Sequence, residues 1–378
     1  MVFPLVLAAA VWQTWPFNGV RTLPGTVRPA NAREEVTVVT ARGAPAVFAA
    51  AIRSDRAATD VKPSAGTVKT ESGATFDAGA ATVRWVKCEA CDPNVWFTGE
   101  PGIGEKTLIP VRLVSGAAEI AKDETREFVF RLEVPKDAKP GLYRGKLTFA
   151  SAAGELGSAP LALRIIPYVL GPAVTRTSDR VSLDGSKVFP GGEPALLSTE
   201  PTPYEILAKA PADWTTDGPG VYEREAGTAK AVVTVGDRYP DKHEVRRWHA
   251  IGVRNYLKVG VPPALANPWV WRRDAGVKAY LLGFDGAIAS AGADTLVGAA
   301  LEEAMTDVRY LSAVSQLAHR LRYSDEYKLR LEGRMGTFFV DSGDQTDAYA
   351  PDADNLRLEA IATLDRFDAL LAGAKEGK

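Results

Sequence analysis

The segment from Thr125 to Ser151 constrains the fold more than any other part of the chain. It contains two runs of alternating apolar positions, at Phe128, Phe130, Leu132 and Val134 and then at Tyr143, Gly145, Leu147 and Phe149. A period of two residues is typical of a strand with one buried face. Pro140 and Gly141 favour a turn between the runs, because proline presets φ and glycine tolerates positive φ. The segment predicts two joined strands at an edge of an antiparallel β-sandwich.

The same strand pattern extends on both sides of this segment, from Glu35 to Ile166. Seven short runs are separated by Gly, Pro, Asp and Ser: VTVVTARG, AVFAAAIRS, ATVRWVK, TLIPVRLVS, EFVFRLEVP, LYRGKLTFAS and PLALRIIP. Short strands at regular spacing favour a sandwich. Prolines then accumulate between Pro167 and Pro219, which indicates a linker or an irregular region. We therefore place a β-sandwich domain at 31–168 and a proline-rich region at 169–225.

After residue 226 the pattern changes to alternating strands and helices. The expected elements are a strand at 232–235, a helix at 244–251, a strand at 255–259, a helix at 270–283 and a strand at 286–290. This order is that of parallel α/β sheets and barrels. Apolar stripes at helical spacing predict two further long helices, at 295–322 and 354–371. The fold class expected for 226–378 is a shortened (β/α) barrel-like region with C-terminal helices.

Composition excludes several classes of function. The length of 378 residues favours two domains. A net charge of −2 gives no electrostatic footprint for nucleic acid or for an anionic membrane. The three histidines, His243, His249 and His319, are scattered and offer little material for a metal cage. We expect no metal, no cofactor and no later segment apolar enough to span a bilayer.

The N-terminus and the cysteines bear on where the protein works. Residues 1–30 are either a signal peptide or N-terminal extension, with an apolar run ending in Ala8–Ala10, or they include a first strand. Cys88 and Cys91 have no second pair to complete a zinc site. A loop disulfide or two idle thiols is therefore favoured over redox chemistry, and a disulfide would suit a secreted or periplasmic protein of the cell envelope.

Three phrases, in order, resemble proteins related to glycoside hydrolase family 123. VPKDAKPGLYRGKLTF is similar to a phrase in the accessory β-sandwich of bacterial members, and EVRRWHAIGVRNYLKVG is similar to a segment that delivers an aromatic residue to the barrel mouth. NPWVWRRDAGVKAYLLGFDGAI resembles the closing part of the barrel, with matches at Asn267, Pro268, Arg272, Gly276, Gly283, Asp285 and Gly286, and with Tyr280 for the family's aromatic residue. LEEAMTDVRYLSAVSQL resembles the helix that follows, with matches at Leu301, Glu302, Asp307, Arg309, Tyr310 and Leu311.

The resemblance implies a substrate-assisted mechanism, and the residues that it requires are missing. In that family an adjacent Asp-Glu pair on a barrel strand protonates the leaving oxygen and orients the substrate's 2-acetamido group. The adjacent pairs here, Asp123-Glu124 and Asp325-Glu326, both fall outside the position of that motif. Carboxylates recruited in their place would be Asp213, Asp217, Glu223 or Glu225, for which solvated loop charges are the simpler interpretation. Enzymatic activity, hydrolysis of O-glycosyl bonds, therefore stays an open question.

Five residues form the predicted substrate-binding site: Tyr256, Trp269, Trp271, Arg273 and Asp285. Aromatic faces pack against pyranose rings, and a guanidinium offers planar donors to hydroxyls. The alternative for each is structural: Trp269 and Trp271 divide between packing and exposure, and Asp285 caps a turn. The sequence leaves two hypotheses for the function of the protein. The first is a carbohydrate-active protein for N-acetyl-hexosaminide glycans with reduced or lost hydrolysis, and the second is a noncatalytic glycan-binding or envelope-structural module.

The strand pattern predicts that the sandwich folds without the rest of the chain. A fragment covering 31–168 should give a far-ultraviolet circular dichroism spectrum dominated by β structure, because its strands carry their own alternating faces. A random-coil spectrum would contradict the proposed boundary.

Overall fold

The computed structural model describes residues 9–14, 23–30, 32–91, 106–175, 181–182, 197–198, 202–235, 242–259, 267–320 and 353–376. The chain divides into two compact units. The first consists mainly of Met1–Leu170, and the second of Gly171–Ala293 and Val297–Thr363. Among the described helices, none combines the length and the apolar character needed to cross a bilayer.

The first unit is a β-sandwich of two sheets. Its strands are β1 (Ala10–Thr14), β2 (Val36–Arg42), β3 (Pro45–Ser54), β4 (Ala58–Ser64), β5 (Thr67–Lys69), β6 (Thr75–Asp77), β7 (Thr82–Cys91), β8 (Thr107–Ser115), β9 (Ala118–Ile120), β10 (Glu124–Glu133), β11 (Gly141–Ser151) and β12 (Gly154–Val169). One sheet has the order β1-β3-β10-β7-β8 and the other β2-β12-β11-β4-β9, with β5 and β6 attached to β11. The pairing is antiparallel except between β2 and β12.

The alternation that predicted β10 and β11 is confirmed, but their relation differs from the expectation. The two strands lie in different sheets, and neither is at an edge. Their apolar faces point into the same core, where Phe128 of β10 meets Phe149 of β11 with ring centroids 5.5 Å apart. The segment 134–140 therefore crosses between the sheets. A period-2 pattern specifies which face is buried, but it does not specify the partner strand.

Cys88 and Cys91 lie on strand β7 and not in a loop. Both thiols are free. Side chains three positions apart on a strand point to opposite faces, which keeps the two sulfurs apart. Burial raises the pKa of the Cys88 thiol to about 11, so this cysteine is a poor nucleophile at neutral pH.

The second unit is built on a curled sheet of five parallel strands. A two-stranded ladder, β13 (Val181–Ser182) and β14 (Leu197–Ser198), precedes them. The five strands are β15 (Glu205–Leu207), β16 (Thr215–Thr216), β17 (Ala231–Val235), β18 (Arg254–Lys258) and β19 (Gly286–Ile288), and they pair in the order β15-β19-β18-β17-β16. The strands expected after residue 226 are confirmed. The proline-rich region contributes β15 and β16, which are too short to show a periodic pattern.

Helices cover one face of this sheet. They are α1 (Val221–Glu225), α2 (Lys242–Ala250), α3 (Pro268–Arg272), a π-helical segment (Arg273–Lys278), α4 (Ala279–Leu282), α5 (Leu296–Arg320) and α6 (Ala353–Glu376). Leu257 and Ala287 pack against this layer in a cluster that includes Val245, Trp271 and Leu311. We call the opposite side of the sheet the inner face. It carries Val233, Tyr256 and Ile288.

A buried ion cluster joins α3, α5 and α6. The fully buried Arg272 donates two hydrogen bonds to Asp307, at 2.7 and 3.0 Å, and one to Asp354 at 2.6 Å. Arg357 donates to Asp307 at 2.7 Å and pairs with Glu303. Three carboxyl groups thus face two guanidinium groups. Burial raises the pKa of Asp354 to about 6, although Arg272 and Arg357 oppose the shift.

The Asp354→Asn variant should change how stability depends on pH. A carboxyl whose pKa is 3.8 in the unfolded chain and about 6 in the folded one contributes stability below pH ~4 that is lost as pH rises through ~6. The free energy of unfolding of the variant should therefore improve relative to the original chain between those values, as measured by urea titration. Glu359→Gln, at an exposed site on the same helix, is the control. A difference that stays constant with pH would contradict the assignment.

Candidate functional site

Several residues that resemble the family phrases shape the helix layer and the sheet. Asn267 caps α3, accepting a hydrogen bond from the Trp269 N–H at 3.1 Å, and Pro268 occupies the first turn. Gly283 ends α4 with φ of 91°, a left-handed conformation that favours glycine. Gly286 opens β19 at a close approach, since a methyl group there would collide with the Glu205 carbonyl oxygen and lie 2.9 Å from Cε1 of Tyr256.

A second close approach explains the π-helical segment. A methyl group at Gly276 would lie 2.9 Å from Cβ of Ala304 on α5, so glycine lets the two helices cross tightly. The hydroxyl of Tyr204 donates a hydrogen bond of 2.7 Å to the carbonyl oxygen of Ala275 inside the segment. A polar partner of this kind stabilises a locally widened helix.

Asp285 is buried between the sheet and α2. Its Oδ2 accepts hydrogen bonds from the Asn255 backbone N–H at 2.9 Å and from Nε2 of His249 at 2.8 Å. The Asn255 side chain continues the network, accepting from the Thr234 hydroxyl at 3.0 Å. The carboxylate therefore ties β19, β18 and α2 together, and at 1% exposure it is out of reach of a ligand at the surface.

Tyr256 lies at the middle of the inner face, below a tryptophan. The Trp214 ring is 4.5 Å from the Tyr256 ring, tilted by 35°. The Tyr256 hydroxyl accepts a hydrogen bond from Arg254 at 3.2 Å and donates to Glu205 at 3.5 Å. Desolvation raises the pKa of Tyr256, and the Arg254 guanidinium partly offsets that effect. Tyr256 is 1% exposed, so its ring is covered.

The cover over Tyr256 is the connection between β15 and β16. These strands follow each other in sequence but stand at opposite edges of the sheet, so residues 208–214, which we call the strap, must cross it. Ala210 and Trp214 of the strap pack with Leu207, Val233 and Tyr256 on the inner face. Five strands at ~4.8 Å spacing span ~19 Å, and seven residues reach ~25 Å at most. The strap is therefore long enough to cross the sheet.

Trp269 and Arg273 form a stacked pair on the helix side. The Arg273 guanidinium lies 4.8 Å from the centre of the Trp269 ring, and its Nε donates to Asp274 at 2.6 Å. Both residues are half-buried. Trp271, by contrast, is buried in the helix layer. The helical run that begins with α3 ends at Leu282, just before the parallel strand β19. Because such helices run antiparallel to the strands, we expect the first turn of α3 at the C-terminal edge of the sheet.

The structure does not bring the five predicted residues together. Tyr256 is on the inner face, Trp271 and Asp285 are buried on the helix side, and Trp269 with Arg273 remains partly accessible. The alternation of side chains along β18 separates the two sides. No described group of three His, Cys, Asp or Glu side chains is arranged to hold a metal ion.

The candidate acids each have their own partner. Asp213 pairs with Lys230 at 2.7 Å, which lowers the pKa of Asp213, and Glu223 approaches Arg247 at 3.7 Å. Asp217 accepts a hydrogen bond from the Gly218 N–H at 3.0 Å. Glu225 accepts one from the Thr228 hydroxyl at 3.2 Å. These contacts tie the four carboxylates to separate neighbours and do not converge on a common substrate position.

Sequence reasoning missed the residues that surround Tyr256, namely Glu205, Trp214 and Arg254. Glu205 belongs to a strand of three residues, and Trp214 precedes one of two residues, so neither lies in a periodic run. The available signal for β15 in the sequence was the short apolar run that follows Glu205.

Comparison with known proteins supports a shared fold. No protein-family model matches the sequence, and no curated protein matches it. A family 123 glycoside hydrolase from Clostridium perfringens, described for glycolipid glycan hydrolysis, is 10% identical, with a TM-score of 0.55 over 88% of this chain and 93% of that chain. The N-terminal domain of PorA is 12% identical over 42% of this chain and 98% of its own, with a TM-score of 0.19. The fimbrial subunit MyfA from Yersinia enterocolitica is 11% identical over 35% and 91%, with a TM-score of 0.18. The last two scores are too low to define a common fold.

Removal of the Asp285 carboxylate should destabilise the second unit. Asp285→Ala leaves the buried Asn255 N–H and the His249 ring nitrogen without their acceptor, at a cost of about 2–4 kcal/mol. Urea unfolding measures the loss. Glu223→Ala, at an exposed site, should stay within about 0.5 kcal/mol, and an equally small effect at Asp285 would contradict its role as a tie between elements.

Proposed function

We propose that this protein is a carbohydrate-related, family 123-like protein whose shortened barrel binds glycans with reduced or lost hydrolysis. The observation that carries the proposal is the inner face. Among the residues of the five described strands that point to the inner face, one is a carboxylate, Glu205. The strap covers this face. Glycosidases need a pair of carboxyl groups, or an acid beside a carboxylate that orients the substrate's acetamido group.

The fold comparison supports a carbohydrate-related role. The likeness to a glycoside hydrolase extends over most of both chains. Several matched residues, such as Asn267, Arg272 and Asp285, cap a helix or form buried hydrogen bonds. The finer parts of the proposal are the ligand, an N-acetyl-hexosaminide glycan, and the setting, a secreted or envelope protein of a bacterium. A noncatalytic structural role in the envelope is the second candidate, favoured by the burial of Tyr256 and Trp271.

The proposed contact surface is the Trp269–Arg273 pair. An indole that is half-exposed can stack on the apolar face of a sugar, and a guanidinium held by Asp274 presents oriented donors to hydroxyl groups. The pair lies at the C-terminal edge of the sheet, where ligands of parallel α/β folds bind. Because Trp271 is buried, one indole rather than two is available, and the binding should be weak.

We expect little or no turnover of aryl N-acetyl-galactosaminides and N-acetyl-glucosaminides. Binding of the corresponding methyl glycosides should be millimolar, about −4 kcal/mol, and should quench tryptophan fluorescence. Trp269→Ala should abolish the contribution of the Trp269–Arg273 pair to binding, while circular dichroism shows that the variant is folded.

The matched control is Trp85→Ala, which changes a partly buried indole of the sandwich. Robust hydrolysis that vanished on changing Glu205, Asp213, Asp217, Glu223 or Glu225 to alanine would overturn the loss of catalysis. Absence of binding to a glycan array would favour the structural role.

A further inference from the structure

We propose that the inner face of the five-stranded sheet is a second, occluded site for a pyranose sugar, and that Trp214 of the strap occupies it. This inference deepens the proposed function, because it names a site distinct from the Trp269–Arg273 pair. The site consists of Tyr256, Glu205 and Arg254. Trp214 packs on the Tyr256 ring, which is the aromatic floor of the site, with the ring centres 4.5 Å apart.

The floor of the site is the aromatic ring of Tyr256. Gly286, the neighbour of Tyr256 on β19, has no side chain, and a methyl group there would lie 2.9 Å from Cε1 of the tyrosine ring. Glycine therefore lets the ring lie against the backbone of the next strand. Trp214 covers the Tyr256 ring, with the two ring centres 4.5 Å apart and the ring planes tilted by 35°. An indole and a pyranose both offer a flat apolar surface to an aromatic ring.

Polar groups frame the floor. The Tyr256 hydroxyl lies between Arg254, which donates to it at 3.2 Å, and Glu205, which accepts from it at 3.5 Å. Both charged side chains are only half-buried. A guanidinium donor and a carboxylate acceptor beside an aromatic face can bind neighbouring hydroxyl groups of a sugar. Apolar packing of Trp214 leaves this hydrogen-bonding capacity at the edge of the stack available.

The strap is anchored lightly enough to be displaced. Its side-chain anchor at the surface is the ion pair between Asp213 and Lys230, at 2.7 Å, with 55% and 73% of the two side chains exposed. Exposed pairs contribute little to stability. Among the described residues, Ala210 and Trp214 of the strap also pack on the inner face, and Trp214 itself is only partly buried. A sugar that replaced the indole would therefore compete with a contact made by the chain.

Weakening the strap should tighten glycan binding. In calorimetric titrations of the full chain with methyl glycosides of N-acetyl-galactosamine and N-acetyl-glucosamine, Lys230→Ala should raise the affinity about two- to fivefold, the range that an exposed ion pair supports. Trp214→Ala should raise it further, by about tenfold or more. Lys146→Ala breaks a comparable exposed pair with Glu155 in the sandwich, at 2.9 Å, and should leave the affinity unchanged.

A third substitution tests whether the gain in glycan affinity arises at the inner face. In the Lys230→Ala background, Glu205→Gln should remove the increase, because the amide is a weaker acceptor beside the tyrosine floor. Since Trp214→Ala creates a cavity and can unfold the unit, Lys230→Ala decides the test. Unchanged affinity in the folded Lys230→Ala variant overturns the occluded site, and so does a gain in affinity that persists with Glu205→Gln.

The same titrations separate the two sites. If Trp269→Ala abolishes binding at the Trp269–Arg273 pair while Lys230→Ala still tightens binding, the two sites are separate. If the original chain does not bind the glycosides but the Lys230→Ala variant does, the occluded site is supported and the proposed binding at the Trp269–Arg273 pair is wrong.

Discussion

The need to cover both faces of a parallel sheet governs the second unit. Parallel strands are buried on both sides in stable proteins, and here the two sides are covered by different means. Helices cover one side through apolar contacts to Leu257 and Ala287. The inner side has too few strands to form a closed, self-filled interior, and the strap supplies Trp214 to complete it. This solution stabilises the sheet and places a bulky aromatic side chain directly on Tyr256.

The residues that resemble the family 123 phrases have structural duties in this chain. Arg272, Gly276 and Asp285 are the matched positions with the clearest physical duties. Arg272 neutralises buried carboxylates on α5 and α6, Gly276 admits a close helix crossing, and Asp285 satisfies a strand N–H and a histidine. Each loss would leave an unpaired buried group or a steric clash. These duties are structural, so the presence of such residues indicates a scaffold and does not by itself indicate catalysis.

The division of aromatic residues between the two sides of the sheet shapes the proposals for function. Tyr256 is on the inner face, and Trp269 is on the helix side at the C-terminal edge. A single deep cleft that uses both is incompatible with this arrangement, whereas two shallow surfaces, one open and one covered, are compatible with it. Shallow sites exclude little water and provide few converging groups, which suits weak binding better than acid catalysis.

Much of the fold could be predicted from the sequence, because local periodicity reports which side of an element is buried. Seven of the eleven strands described between Val36 and Val169 follow from such patterns, as do α2, β18 and the long helix α5, whereas β4, β5, β6 and β9 were not predicted. The absence of an adjacent Asp-Glu pair from the position that the family resemblance implies is also a prediction from the sequence, since it depends only on order along the chain. Patterns failed where an element was too short to repeat, as at β15 and β16.

Tertiary structure alone decided which residues share a site. The order of strands puts β15 beside β19 and sends the strap across the inner face, and no local pattern encodes that order. It also decided that β10 and β11 belong to different sheets and that Trp271 packs inside while Trp269 stays half-exposed. The physical reason is the same in each case. Side-chain alternation is set by backbone geometry within a few residues, whereas burial and proximity depend on contacts between segments far apart in the chain.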